Sequence, residues 1–179
     1  IDGHAMVHRS WHAIAVRGEH LSVSRTGEDI TAVYGFANTF LKALGEWNPT
    51  HCAITFDLPA PTFRHLQFKE YKAQRPETPP ELRAQFDRVR QMMAAFSVPI
   101  FEKEGFEADD LLGTLARQAQ EAELQTIILT GDTDTFQLVS PWTRVVLHYR
   151  IQDRKVYDEA AVRERYGGRT PHQQPDIKA

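Results

Sequence analysis

From Ala32 to Trp47, apolar residues return every three or four positions. Val33, Phe36, Ala37, Phe40, Leu41 and Leu44 form one helical stripe, and Pro49 marks its end. A second helix is predicted from Thr78-Pro79-Pro80-Glu81, which has the form of a capping box with proline in the first turn, to about Phe96. Its Leu82, Phe86, Val89, Met92 and Met93 face inward. A third covers Glu107 to about Ala122, packing through Leu111, Leu112, Leu115 and Ala119. Shorter helical patterns occupy Met6 to Ala15, Phe136 to Val139, and Asp158 to Tyr166, the last stopped by Gly167-Gly168. Thr126–Leu129, continuous and aliphatic, reads as the clearest buried strand, Cys52–Phe56 as a short buried strand, and Val98–Phe101 and Arg144–Tyr149 as further strands. Ile1-Asp2-Gly3-His4 reads as the end of a further strand whose earlier residues are absent, with Gly3 allowing the turn. Gly18 to Asp29 reads as a polar connection.

The resulting order, β, α, β, α, α, β, α, β, β, α, predicts one α/β domain on a mostly parallel central sheet flanked by helices. The 179 residues suffice for one core and show no internal repeat. No apolar run approaches a membrane span. A single cysteine, Cys52, excludes an intramolecular disulfide and fits a reducing, cytoplasmic setting. Net charge is −3, but its distribution changes the picture. Phe63 to Gln91 holds seven Lys/Arg against four acids, a local +3, so the remainder carries −6. Basic and aromatic residues interleave there as Phe63, Arg64, His65, Phe68, Lys69, Tyr71, Lys72 and Arg75. That mixing suits stacking and phosphate contact with a nucleic-acid strand; a half-buried helix would look similar.

The predicted strands deliver carboxylates at their ends: Asp2, Asp57, and the pair Asp132 and Asp134. Glu107, Asp109 and Asp110 crowd the start of the third helix, with Glu107 and Asp110 on one face and Asp109 turned elsewhere. Acids at a helix start also suit its dipole. In open parallel sheets the strand ends are where ligands bind. Like charges this close raise one another's pKa unless a cation offsets them. No Cys/His set has zinc spacing and no glycine-rich phosphate loop is present. Oxygen-only donors favour Mg²⁺ or Mn²⁺, and two such ions roughly 4 Å apart support phosphodiester hydrolysis.

Six segments, in order and spanning nearly the whole chain, carry a resemblance. They are Ile1-Asp2-Gly3-His4, Ala32-Val33-Tyr34-Gly35-Phe36, Phe56-Asp57 followed by Phe63-Arg64-His65, Tyr71-Lys72-Ala73-Gln74-Arg75-Pro76, Glu107-Ala108-Asp109-Asp110, and Thr130-Gly131-Asp132-Thr133-Asp134. The sequence resembles the 5′-nuclease domain at the N-terminus of bacterial DNA polymerase I, in the flap-endonuclease group with a PIN-like fold and a helical arch. The resemblance implies a Mg²⁺- or Mn²⁺-dependent 5′-3′ exonuclease and flap endonuclease acting on DNA 5′ ends and flaps in replication and repair, monomeric, in the bacterial cytoplasm at the nucleoid. It assigns Asp2, Asp57, Glu107, Asp109, Asp110, Asp132 and Asp134 to two metal ions, directly or through water. Lys72 and Arg75 are assigned to the scissile phosphate or the 5′ strand, and Arg64, Lys69 and Tyr34 to the DNA. Thr133 and Thr135 depart from the Lys and Leu more usual in the family. The family also continues into a Gly-Asp-x-Ser-Asp-Asn segment carrying two further metal-binding aspartates, a helix-hairpin-helix element and a polymerase. The expectation is therefore one domain over 1–179 truncated at both ends, with weak or no activity alone. The alternatives are a catalytically incomplete DNA-binding module of the same fold and a PIN-like ribonuclease.

Overall fold

Helix α2 (Thr31–Trp47) follows its apolar stripe, burying Ala32, Phe36, Phe40 and Ala43. It closes at Asn48, whose left-handed φ of 40° lets its N–H reach the Leu44 carbonyl. The computed structural model describes residues 1–15, 18–148 and 153–178. α1 (Gly3–Ala15) precedes α2 and packs on it. β1 (Ile54–Thr55), α3 (Phe63–Gln67), α4 (Pro80–Ala95) and β2 (Ile100–Phe101) come next. α5 (Ala108–Glu121), β3 (Thr126–Thr130), β4 (Thr143–His148), β5 (Arg154–Tyr157), α6 (Glu159–Arg165) and α7 (Gln174–Lys178) complete the order.

β1 pairs parallel with β2, and β3 pairs parallel with β4 in the register Thr126 to Thr143 through Thr130 to Leu147. β5 runs antiparallel on β4. Two residues join these halves: Thr55 N–H donates to the Ile1 carbonyl (2.9 Å), and Asp2 N–H donates to the Leu129 carbonyl (2.9 Å). Burial follows the same division. Met6, Val7, Trp11, Phe36, Phe40, Ile54, Phe56, Leu82 and Val89 form one core around α1, α2, α4 and β1. Leu112, Ile128, Phe136, Val145, Leu147 and Tyr157 form another around β3 to β5. Ala43, Leu129 and Val146 lie between, with Ile1 packed on them.

Several expectations are corrected. No capping box forms at Thr78: Pro79, which precedes Pro80, is held extended (ψ 142°) and becomes an N-cap without a side-chain bond, so the helix starts one residue later than Thr78 would cap. Boxes form instead at Thr62 with His65 and at Glu107 with Asp110. The run Cys52–Phe56 gives only a two-residue strand. The segment after it, for which the sequence favoured no single element, is the five-residue α3 followed by turns. The Phe136–Val139 pattern is a 3₁₀ helix, Thr133–Leu138, started early by the Asp132 carboxylate accepting from Asp134 N–H. β5 was missed because Arg154-Lys155-Val156-Tyr157 is an edge strand, three of whose four residues are not buried, and has no continuous apolar run. Tyr149 and Ala179 lie outside the described residues. Gly3 is required for room rather than for a turn: a Cβ there would sit 2.5 Å from the Phe56 ring and 2.8 Å from the Thr55 carbonyl.

Gln85, on α4 and 1% exposed, fastens the start of α2. Its Oε1 accepts from Ala32 N–H (2.6 Å) and Val33 N–H (3.2 Å), and its Nε2 donates to the Asp29 carboxylate (3.0 Å) and the Glu81 carbonyl (3.2 Å). Gln85→Leu leaves the helix-terminal N–H groups of Ala32 and Val33 unmet, so urea unfolding should show a loss of about 2–3 kcal/mol.

His148 is 3% exposed and, among the described residues, neither ring nitrogen has a hydrogen-bond partner. Burial first, then the charges of Arg154, Lys42 and Arg9 against Glu46, pushes its pKa down to about 4. The unfolded chain therefore takes up the extra proton between pH 6.5 and 4. Stability is full above that window and is lost as pH falls through it. Denaturant titrations at pH 7 and 5 should differ by roughly 1 kcal/mol from this residue after solvent screening, a difference His148→Leu removes.

Candidate acidic site at the carboxyl edge of the sheet

Four elements bring carboxylates to one place. Asp2 ends the joining segment, Asp57 follows β1, Asp109 lies in the first turn of α5, and Asp132 follows β3. Asp2 is 3% exposed and is held by Ala5 N–H (2.9 Å) and the Thr130 hydroxyl (2.6 Å). Burial nonetheless raises its pKa, against those hydrogen bonds. The same Thr130 oxygen accepts from Asp132 N–H (3.0 Å), so one hydroxyl ties two of the acids. Asp57 accepts from Ala108 N–H (2.7 Å) and lies 3.6 Å from His4 Nδ1. Asp109 accepts no hydrogen bond among the described residues. It is pushed up to about 7, by burial first and then by Asp2, Asp132 and Asp57.

The other two acids of the Glu107-Ala108-Asp109-Asp110 segment face a different way, toward the basic segment. Arg64 grips Asp110 with two bonds, 2.7 and 2.8 Å, and also lies 3.3 Å from Glu107. Glu107 accepts from Lys72 Nζ (2.7 Å) and the Tyr71 hydroxyl (3.0 Å). Asp110 is held below the usual carboxylate range by Arg64. For Lys72, burial pulls the pKa down, but the bond to Glu107 outweighs it and the net shift is upward.

Asp134 is exposed and gives its N–H to Asp132 (2.9 Å). Arg75 and Lys69 are exposed, and Tyr34 stands 53% exposed on α2. Among the described residues no three acidic or imidazole groups converge closely enough to ligate one ion as they stand. Sequence reasoning missed Thr130, Tyr71 as a Glu107 donor, and the histidines His4, His8 and His12. The four-residue spacing of those histidines on a helix that begins at Gly3 was the available signal. Arg9 was missed as well: it donates to the Gly131 carbonyl (2.7 Å), and a Cβ on Gly131 would lie 2.9 Å from its Nε.

Residues 1–167 match the family described as 5′-3′ exonuclease, N-terminal resolvase-like domain. The chain belongs to that family. It is 45% identical over 181 residues to the DNA polymerase I of Chloroflexus aurantiacus, covering 99% of this chain and 19% of that protein. Identity to the Bacillus subtilis DNA polymerase I is 37% over 179 residues, with 99% and 20% covered. The chain thus spans about a fifth of the length of these relatives. Among solved structures, the T5 D15 protein co-crystallized with metal ions superposes with a TM-score of 0.70 at 15% identity, over 96% of this chain and 61% of that one. T5 5′-exonuclease with bound zinc gives 0.67 at 17% identity, over 96% and 61%. The fold of the 5′-3′ exonuclease family member described here is therefore that of T5 5′-exonuclease, as the sequence resemblance implied. No helix among the described residues is long and apolar enough to cross a membrane.

Proposed function

We propose that this domain hydrolyses phosphodiester bonds at DNA 5′ ends or flaps, as a metal-dependent 5′-3′ exonuclease at the N-terminus of a DNA polymerase I. The observation that carries this reading is the crowding of Asp2, Asp57, Asp109 and Asp132, with Asp109 pushed up to about 7. An all-oxygen donor set under that much like charge fits hard divalent cations, Mg²⁺ or Mn²⁺. Two ions held there would supply charge neutralisation and an activated water. Asp134 would join on the open side. Glu107 and Asp110 would reach the ions through water while they hold Lys72 and Arg64. Lys72 and Arg75 would face the scissile phosphate, donating where negative charge develops. Arg64, Lys69 and Tyr34 would contact the strand. The setting is a monomer in the bacterial cytoplasm, at the nucleoid, continued by a polymerase.

A second reading is favoured by the same ion pairs. With Glu107 and Asp110 already paired to cationic side chains, the domain could bind DNA without turning it over. Cleavage of a labelled 5′-flap duplex in Mg²⁺, Mn²⁺ or EDTA separates the two. It should be run on this chain and on the chain continued by the segment that follows the matching region in the Chloroflexus aurantiacus relative. Metal-dependent cutting by the continued chain is expected. Binding without cutting in either version would leave the DNA-binding module, and a preference for single-stranded RNA would point to the ribonuclease.

A further inference from the structure

His4, His8 and His12 stand four apart on α1, so each lies one turn above the last on the same helix face. The core stripe of α1 is Met6, Val7, Trp11 and Ile14, and the histidine row runs beside it: His4 and His8 are partly buried and His12 is exposed. The ring centroids of His4 and His8 are 5.1 Å apart with the planes tilted by 34°. Those of His8 and His12 are 6.2 Å apart and stacked at 22°.

The rings differ in what they already do. His4 packs on the Phe86 ring (4.8 Å) and has Nδ1 3.6 Å from Asp57, so it belongs to the acidic site. His8 meets Phe86 edge-on (5.6 Å), and among the described residues neither His8 nor His12 takes part in a hydrogen bond or ion pair. Burial first, then His4, His12 and Arg75 against Asp57, pushes the His8 pKa down to about 4. Near neutral pH its imidazole is therefore in the form that ligates a metal, with no proton to displace.

We propose that His8 and His12 form a two-nitrogen chelate for a transition-metal ion of the Zn²⁺, Ni²⁺ or Cu²⁺ class, separate from the carboxylate cluster that fits Mg²⁺ or Mn²⁺. Two histidines four apart on one helix face are a recurrent way for a helix to offer nitrogen to zinc, and imidazole selects these ions over hard cations. His4 and His12 are about 12 Å apart along the helix, so the three cannot share one ion. Among the described residues no third acid or imidazole joins the pair, and the remaining positions are left to water, which makes the site open rather than structural. The want of a four-ligand Cys/His set in the sequence does not bear on a site that needs only this pair. The chelate is independent of the nuclease reading, and none of its readouts is cleavage.

The test titrates Cu²⁺ or Zn²⁺ into the chain in excess Mg²⁺, which competes for the carboxylate cluster. Calorimetry reads affinity, and electron paramagnetic resonance counts the nitrogens coupled to Cu²⁺. A bound ion coupled to two nitrogens is expected. His12→Gln, at an exposed position, and His8→Gln should each weaken binding by about tenfold or more and leave one coupled nitrogen, as loss of a chelate arm requires. His4→Gln and Asp132→Asn should leave both readouts as they are in the parent. Unchanged affinity in His12→Gln would overturn the pair. Loss of the ion in His4→Gln or in Asp132→Asn would also overturn it, by placing the ion at Asp57 or in the carboxylate cluster.

Discussion

Asp109→Asn should lower metal-dependent flap cleavage by about 10³-fold or more while the DNA dissociation constant moves less than about threefold. The carboxylate has no hydrogen bond to lose among the described residues, and its neighbours Asp2, Asp57 and Asp132 are like-charged. The variant should therefore also be more stable than the parent in EDTA at pH 8, by about 1–2 kcal/mol, because a buried charge is removed from a repulsive cluster. Loss of activity with gain of stability is a signature that general disruption cannot produce. Parent-like cleavage by Asp109→Asn would remove the carboxylate cluster from the chemistry.

Lys72→Ala should cut the cleavage rate by about 10²–10³-fold with a smaller change in KM, as expected when a donor acts where charge develops. Its ammonium is 2.7 Å from Glu107, which keeps the Tyr71 hydroxyl and the nearby Arg64 after the change. The backbone offers an internal control. Lys72 has a φ of 57°, in the left-handed region where a side chain is strained. Lys72→Gly should be as inactive as Lys72→Ala but about 1 kcal/mol more stable than it. Equal rates for the parent and both variants would show that the lysine only holds Glu107.

Much of this was legible because strong patterns and local chemistry agreed. The stripe of α2, the aliphatic run of β3 and the acid-led α5 each carried a periodicity that packing reinforced. Asp109 was read as facing away from Glu107 and Asp110, and it does: burial and the aspartates act on it, while Arg64 and Lys72 hold the other two. What escaped the sequence depended on partners distant along the chain. Thr130 reaches Asp2 across 128 positions, and Arg64 reaches Asp110 across 46. β5 was hidden because the pairing that makes it a strand comes from β4 rather than from its own side chains.

Asp2 and Asp57 belong to the half of the molecule built on α1, α2, α4 and β1, whereas Asp109 and Asp132 hang from the half built on β3 to β5. A cation shared across that seam would be a cross-link as well as a reagent. Its occupancy would add stability by mass action, about 2.7 kcal/mol at a concentration one hundred times its dissociation constant. Chelation would then loosen the grip of one half on the other before it exposed either core. An ion placed there for cleavage would then also be the clasp that keeps the halves in register.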